Sequence, residues 1–376
     1  MKIAILTHPP RLNYGGILQA YALQNTLENM GHQVQILSNN HIGNHPDWKL
    51  PIVYINRIIK KCLGKSNIVV FWEKRMRKNW SVISQNTQKF IDGKLNIKML
   101  KSLSELQSKD FDVYVVGSDQ IWRAKYTRQL WRTTMPNVFL SFTKSWDVKR
   151  IAFAASFGID NIEEYTHSEI EQCKQALQMF NKVTVRETSG VAICRDKFGR
   201  EALQVIDPTM LLRKEDYVHL LSAVATKKSD GTLMTYILDP NSGKQKIISS
   251  IAEKTGLRPF KANADSYNET LDIDKRVQPS VEQWIRNFLD AKLIITDSYH
   301  ACVFSIIFNK PFIVIGNINR GLTRFESLLN TFGLERRLLK ENQDYDTLIE
   351  ENIDWESVNN ILEKHRKFGL KILQNI

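Results

Sequence analysis

A histidine at the start of a very apolar helix is the residue in this chain best placed for chemistry. In TDSYHACVFSIIFNKPFIVI, Thr296 to Ile315, a strand-like run from Lys292 to Thr296 hands over to the helix, and a second strand follows from Pro311 to Ile315. Asp297 or Ser298 can cap that helix, which places His300 in its first turn. The helix field there favours a neutral imidazole and a bound anion favours the charged form, so His300 is suited to proton exchange near neutral pH. Cys302, half a turn on, reads as a small packed residue. A second candidate is Arg186, which ends the strand-like run Lys182 to Val185 in TVRETSG. Its planar fork suits a carboxylate or phosphate, or else a structural pair with Glu187 or another acid.

Two further loops carry polar groups at the ends of strand-like runs. In HPPRLNYGGILQAY, the stretch Asn13, Tyr14, Gly15 and Gly16 opens a helix, and the glycines let a ligand approach the backbone and the free N–H groups of the helix end. The spacing is not that of a dinucleotide-binding turn. In VGSDQIW, the residues Gly117, Ser118, Asp119 and Gln120 could bind sugar hydroxyls and Trp122 could stack on a sugar face, or the stretch is a plain helix cap. No Ser-His-Asp or metal-ligand spacing stands out.

The elements that must position these loops alternate. KIAIL, QVQIL, DVYVVG, RIAFAAS, KVTVR and LQVID read as strands, with helical runs between most of them. After Asp207-Pro208 the pattern restarts with TLMTYIL, KQKIISSIAEKTG, VEQWIRNFLDA and the strand, helix and strand around His300. Such alternation implies parallel sheets covered on both faces, hence an α/β protein of two Rossmann-like domains. The expected division is 1–210, 211–350, and a terminal amphipathic helix within 351–376 that packs back across the domains. In open sheets of this kind ligands bind beyond the carboxyl ends of the strands, where all four loops lie.

The chain has 376 residues and a net charge of +12. The charge suits anionic partners or is simply a soluble basic surface. No RNP-like motif, zinc-finger spacing or basic heptad helix is present, so nucleic acid is not an expected partner. No apolar window is long enough to span a membrane. The opening MKIAILTHPP reads as a first strand, not a signal peptide. The four cysteines form no Cys-x-x-Cys pair, which suits a reducing cytoplasm. An insertion within about 41–101 breaks the alternation: Lys49 to Lys101 holds thirteen Lys and Arg against Glu73 and Asp92. It reads as a helical hairpin with a solvated basic face, or as a lid facing a membrane or an acceptor.

Taken in order, NYGGILQAYALQ, VGSDQIW, RIAFAASFG, VRETSG, DPTMLL and TDSYHACVFSIIFNKPFIVI resemble the polysaccharide pyruvyl transferase family, from about Ile3 to Leu338. The resemblance implies a two-domain fold like the GT-B glycosyltransferases. It implies transfer of the enolpyruvyl-derived unit of phosphoenolpyruvate onto sugars of a cell-surface polysaccharide or its lipid-linked precursor, usually as a ketal, with release of phosphate and no cofactor or metal. His300 and Arg186 match the family's His and Arg. The family's Arg-Leu-His is here Ser298-Tyr299-His300, so the cation before Leu is missing and Arg320 or Arg324 is expected to replace it. His300 would be the general acid/base, with Asp297 orienting it or capping the helix. Arg186, Ser298, His300, Arg320 and Arg324 would hold the donor, and the two N-terminal loops the sugar. A cytoplasmic protein visiting the inner face of the membrane fits this reading. The alternatives are a nucleotide-sugar glycosyltransferase of the same fold and an inactive glycan-binding protein.

Overall fold

The computed structural model describes residues 1–65, 68–316, 321–339 and 345–376. Among these residues twelve strands form two wholly parallel sheets. The first holds β1 (Lys2–Leu6), β2 (Gln33–Ser38), β3 (Ile97–Met99), β4 (Val113–Val116), β5 (Lys149–Ala155), β6 (Lys182–Val185) and β7 (Leu203–Gln204). Their order is β3-β2-β1-β4-β5-β6-β7. The second holds β8 (Leu233–Tyr236), β9 (Pro259–Lys261), β10 (Leu293–Thr296), β11 (Phe312–Ile315) and β12 (Leu338–Leu339). Read from its other edge, its order is β9-β8-β10-β11-β12. The expected class therefore stands: α/β, with two Rossmann-like units.

The central strands are apolar along their whole length because helices cover both faces. Val113–Val116, Leu293–Thr296 and Phe312–Ile315 have no exposed residue. The strands that sequence reading passed over, β3, β9 and β12, have two or three residues each. Runs that short carry too little alternation to register.

Strand order reverses between β1 and β4 in the first sheet and between β8 and β10 in the second. Each reversal opens a crevice at the carboxyl ends of the strands. The helix Tyr14–Asn29 follows β1, and the helix Tyr299–Ile307 follows β10. One apolar core runs through both units, from Ile3, Ile17 and Val115 to Trp284, Phe304 and Phe312. Tyr14, buried, stacks on Trp284 at 5.2 Å and donates its hydroxyl to the Pro279 carbonyl at 2.8 Å. The two crevices are thereby held against one another.

The chain crosses between units after Asp207. The turn Pro208–Met210 packs on the helix Tyr14–Asn29, and the next helix, Lys214–Leu220, on Val281–Asp290. The terminal helix Trp355–Gln374 packs on Thr323–Phe332 of the second unit. Its Arg366 donates to the carbonyls of Met210 and Leu212, at 2.9 and 3.2 Å, which ties it to the crossing.

The basic insertion leaves the carboxyl end of β2 as three helices, Leu50–Cys62, Trp72–Ile83 and Gln85–Lys94. The second seats Met76 and Ile83 against Leu12, and the third puts Phe90 and Ile91 into the main core. The first buries none of its residues.

Candidate functional site

His300 lies in the first turn of the helix Tyr299–Ile307, whose N-cap is Ser298. The imidazole is buried and meets the other unit on two sides. On one side is the backbone of Gly15, where a Cβ would stand 2.1 Å from His300 Nδ1. Only glycine permits this approach. On the other, Asp207 Oδ2 stands 3.6 Å from Nε2. Gly15→Ala should therefore displace the ring. A shift of about 1 Å in a catalytic group costs on the order of 100-fold in rate, so turnover should fall by that order, and because the new Cβ would also stand 2.6 Å from His300 Cβ the overpacked contact should cost about 1–3 kcal/mol of stability. Unaltered turnover would mean the ring position is unimportant.

Asp207 is the hub of the site. Its Oδ1 accepts from the Thr209 N–H and hydroxyl at 3.0 and 2.7 Å, and its Oδ2 from Arg186 Nη1 at 2.7 Å. Ser118 Oγ approaches the same oxygen at 3.3 Å. Burial opposes the charged carboxylate, yet His300 and Arg186 hold Asp207 far below the usual carboxylate range.

Arg186 leaves β6 and is almost fully buried. Besides Asp207 it pairs with Asp119 Oδ1 at 3.5 Å, and its guanidinium lies 4.4 Å from the centre of the Tyr299 ring. Its Nε and Nη2 make no hydrogen bond, so donor capacity remains inside the crevice. Arg324, from the helix Thr323–Phe332, brings a second buried guanidinium to within 5.4 Å of the same ring. Burial and the neighbouring Arg186 charge push Arg324 down to about 10. Two like charges that act on one another away from water favour an anion that joins them. The structural pair weighed for Arg186 is made with another acid, Asp207, and not with Glu187. Glu187 instead accepts from the N–H groups of Phe157 and Gly158, at 2.8 and 3.0 Å, and fixes the loop after β5.

The loop after β4 contributes Asp119, whose backbone is left-handed at φ 56°, a conformation Asp tolerates better than most residues. Burial opposes its charge, but Arg186, then His300, His8 and Arg324, keep the carboxyl below its ordinary value. His8, on the loop after β1, donates from Nε2 to the Gln120 carbonyl at 2.8 Å. Its Nδ1 is buried without a partner, and burial lowers its pKa. The ring is thus a neutral imidazole with an open lone pair at Nδ1.

Several expected residues take other places. Asp297 was expected to orient the imidazole or cap its helix. Instead it accepts from the N–H groups of Leu238 and Asp239 at 2.6 and 3.1 Å, and from Lys244 Nζ at 2.6 Å. Side chains close to a strand end can point to opposite sides, and Asp297 turns toward β8. Lys244 lines a separate cavity of about 200 Å³ beyond β8 and β9. Trp122 does not stack on a ligand: it is fully buried against Phe139, at 4.6 Å between rings. Tyr14 is spent in the contact between units. Ser118, fully buried, donates to the Ala154 carbonyl at 3.0 Å. Gly117 has φ 125° and a Cβ there would strike the Phe153 carbonyl at 2.1 Å, so it serves the backbone. Asn13 is exposed and accepts from the Gly15 and Gly16 N–H groups at 3.0 and 3.3 Å. A Cβ on Gly16 would come within 3.9 Å of Asp119 Oδ2, and Gln120 accepts from Arg123 Nη1 at 3.3 Å through its side chain. Arg320 lies outside the described residues. His8, Asp207 and Tyr299 were not singled out from sequence. The Asp207-Pro208 pair was visible as a boundary, but nothing local marked it as the partner of His300. Among the described residues no group of three His, Cys, Asp or Glu side chains is arranged to hold a metal ion.

Two facing parallel units, with a buried His, two Arg and two carboxylates gathered between them, make a two-domain protein of GT-B-like architecture. A protein of Listeria monocytogenes described as a UDP-N-acetylglucosamine 2-epimerase shares this fold at TM-score 0.50 and 10% identity, over 100% of this chain and 94% of that one. The corresponding epimerase of Neisseria meningitidis gives 0.48 at 10% identity, covering 98% and 94%. Arabidopsis thaliana UGT89C1, solved with UDP-L-rhamnose, gives 0.48 at 9% identity, covering 100% and 98%. No curated protein matches the chain. The sequence pattern of the polysaccharide pyruvyl transferase family matches residues 13–319, and the chain belongs to that family.

Proposed function

We propose that the protein transfers the enolpyruvyl-derived group of phosphoenolpyruvate to sugar hydroxyls, forming a pyruvate ketal and releasing phosphate. The observation that carries this reading is that two buried guanidinium groups, Arg186 and Arg324, both lie over the Tyr299 ring, while the adjacent His300 and Arg186 face the same Asp207 carboxylate. Phosphoenolpyruvate is a small, highly charged anion with a carboxylate and a phosphate, and two guanidinium forks match those groups. Arg324 takes the part of the cation missing at position 298, with Tyr299 as the surface against which both guanidinium groups rest.

His300 delivers a proton to the methylene carbon, leaving an oxocarbenium-like centre at the adjacent carbon. A sugar hydroxyl attacks that centre, and its proton passes to a base, for which His8 Nδ1 offers the open lone pair. The C–O bond to phosphate then breaks, with Arg186 and Arg324 stabilising the charge that leaves. A second hydroxyl closes the ketal and gives up its proton. One proton ends on the methyl group and the other goes with phosphate or solvent. Asp207 acts through the others, placing Arg186 and His300.

The test is donor binding. Phosphoenolpyruvate should raise the melting temperature, because a ligand that binds only the folded state stabilises it by mass action. A panel of nucleotide sugars should not. Arg324→Gln should weaken phosphoenolpyruvate binding by roughly 10- to 100-fold, as loss of a charge-assisted contact does. Stabilisation by a nucleotide sugar and not by phosphoenolpyruvate would replace this reading with that of a glycosyltransferase.

A further inference from the structure

The first helix of the insertion is built inside out. Its inner side makes one ion pair and one aromatic contact: Arg57 donates to both Glu73 oxygens, at 2.6 and 2.9 Å, and Tyr54 meets Phe71 edge-on at 5.0 Å between rings. Its outer side is apolar. Trp48, Ile52, Ile55, Ile59 and Leu63 follow at spacings of three and four residues, which is one stripe on a helix. They are 72%, 65%, 58%, 51% and 76% exposed. A stripe of large apolar side chains turned to water has a cost that an unpartnered surface does not recover.

Charge decides what covers it. From Trp48 to Trp72 the sequence has no acidic residue, and Asp47 and Glu73 at its borders are paired with Arg77 and Arg57. Lys49, Lys60, Lys61 and Lys65 flank the stripe and are exposed or nearly so. A second copy of this chain would bring the same lysines against one another. An anionic bilayer complements both halves of the surface: the apolar side chains enter the headgroup boundary and the lysines stay at the phosphates.

We propose that the helix Leu50–Cys62, with Trp48 and Leu63, is an interfacial helix that docks the protein on an anionic membrane. The tryptophans further along do not share this role. Trp72 and Trp80 pack against the small cluster of Leu12, Met76 and Ile83. That cluster joins the insertion to the loop carrying Asn13–Gly16, and the Arg57–Glu73 pair joins the docking helix to the insertion's second helix. On the reading of function above, the acceptor sugar then enters at headgroup height, carried on a lipid.

Co-sedimentation of the full chain with vesicles tests the docking without reference to catalysis. Binding is expected to vesicles of mixed phosphatidylglycerol and phosphatidylcholine, to weaken with salt, and to be absent with phosphatidylcholine alone. Lys60→Gln with Lys61→Gln and Lys65→Gln should weaken it roughly 100-fold. Ile52→Ser with Ile55→Ser and Ile59→Ser should weaken it at least about tenfold. All six side chains are on the surface, so melting curves should not move. Equal pelleting with neutral vesicles, or none with either, overturns the proposal. So does a salt-sensitive dimer in sedimentation velocity that the isoleucine variants abolish, since the stripe would then be a self-interface. Pyruvyl transfer to a soluble saccharide, measured alongside, reads the catalytic assignment separately.

Discussion

His300→Ala should lower turnover by at least about 100-fold, the usual contribution of a general acid or base. The structure adds a reason to expect a clean result. The imidazole occupies the space between Gly15 and Asp207, and its Nε2 makes no hydrogen bond. Removing it takes from Asp207 only the 3.6 Å contact with Nε2, while the contacts from Arg186, Thr209 and Ser118 stay. The folded state should survive, and binding of phosphoenolpyruvate should change much less than turnover, because the two guanidinium groups stay. His300→Gln should not rescue activity, since an amide offers no exchangeable acid near neutral pH. Turnover close to that of the unaltered chain, with a good acceptor, would remove His300 from the mechanism.

Asp207→Asn should have the largest effect on stability. Arg186 is almost wholly buried and its 2.7 Å contact is with this carboxylate. Removing one partner of a buried ion pair costs about 3–5 kcal/mol, and denaturant unfolding should show a loss of that size near neutral pH. The pH dependence gives a second signature. Asp119 and Asp207 hold their pKa values below those of the unfolded chain. Below about pH 4 the unfolded chain therefore takes up protons that the folded one refuses, and stability is lost as pH falls through that window. His8 adds to this earlier: burial depresses its pKa, so from about pH 6.5 downward the unfolded state again binds the extra proton. In Asp207→Asn the steepest part of the loss below about pH 4 should flatten, while the His8 contribution remains. A variant as stable as the original chain, with an unchanged acid limb, would show that Arg186 is held by Asp119 alone.

How much of the site was legible follows from what a sequence reports. The positions of His300, Arg186 and Asp119 were readable because each stands at the end of a strand-like run, and strand ends in parallel sheets face ligands. The same rule misplaced Trp122. It lies on the same loop, three residues beyond Asp119, but an indole that close to Phe139 and Phe157 gains more from burial than from a wet crevice. Asp297 shows the second limit. Adjacency to His300 in the chain suggested contact, while its carboxylate turned to Lys244 and the N–H groups after β8.

By itself the sequence determined the local architecture. Periodicity and turn residues fixed the central strands, the helices between them, the restart after Asp207 and the basic insertion, since these depend on neighbours within a few residues. It also marked the insertion as basic and rich in isoleucine. The tertiary structure decided which loops face one another. Strand order set the two crevices, and a shared apolar core pressed them together, so that Asp207 rather than Asp297 met His300, Arg324 joined Arg186 at Tyr299, and His8 came to Asp119. It also decided which side of the first inserted helix faces outward: the Arg57–Glu73 pair and the Tyr54–Phe71 contact turned one side inward and left the isoleucines and the lysines beside them to solvent. Contacts between residues far apart in the chain leave no periodic trace in it, because they arise from how whole elements dock and not from the backbone preferences of any one segment.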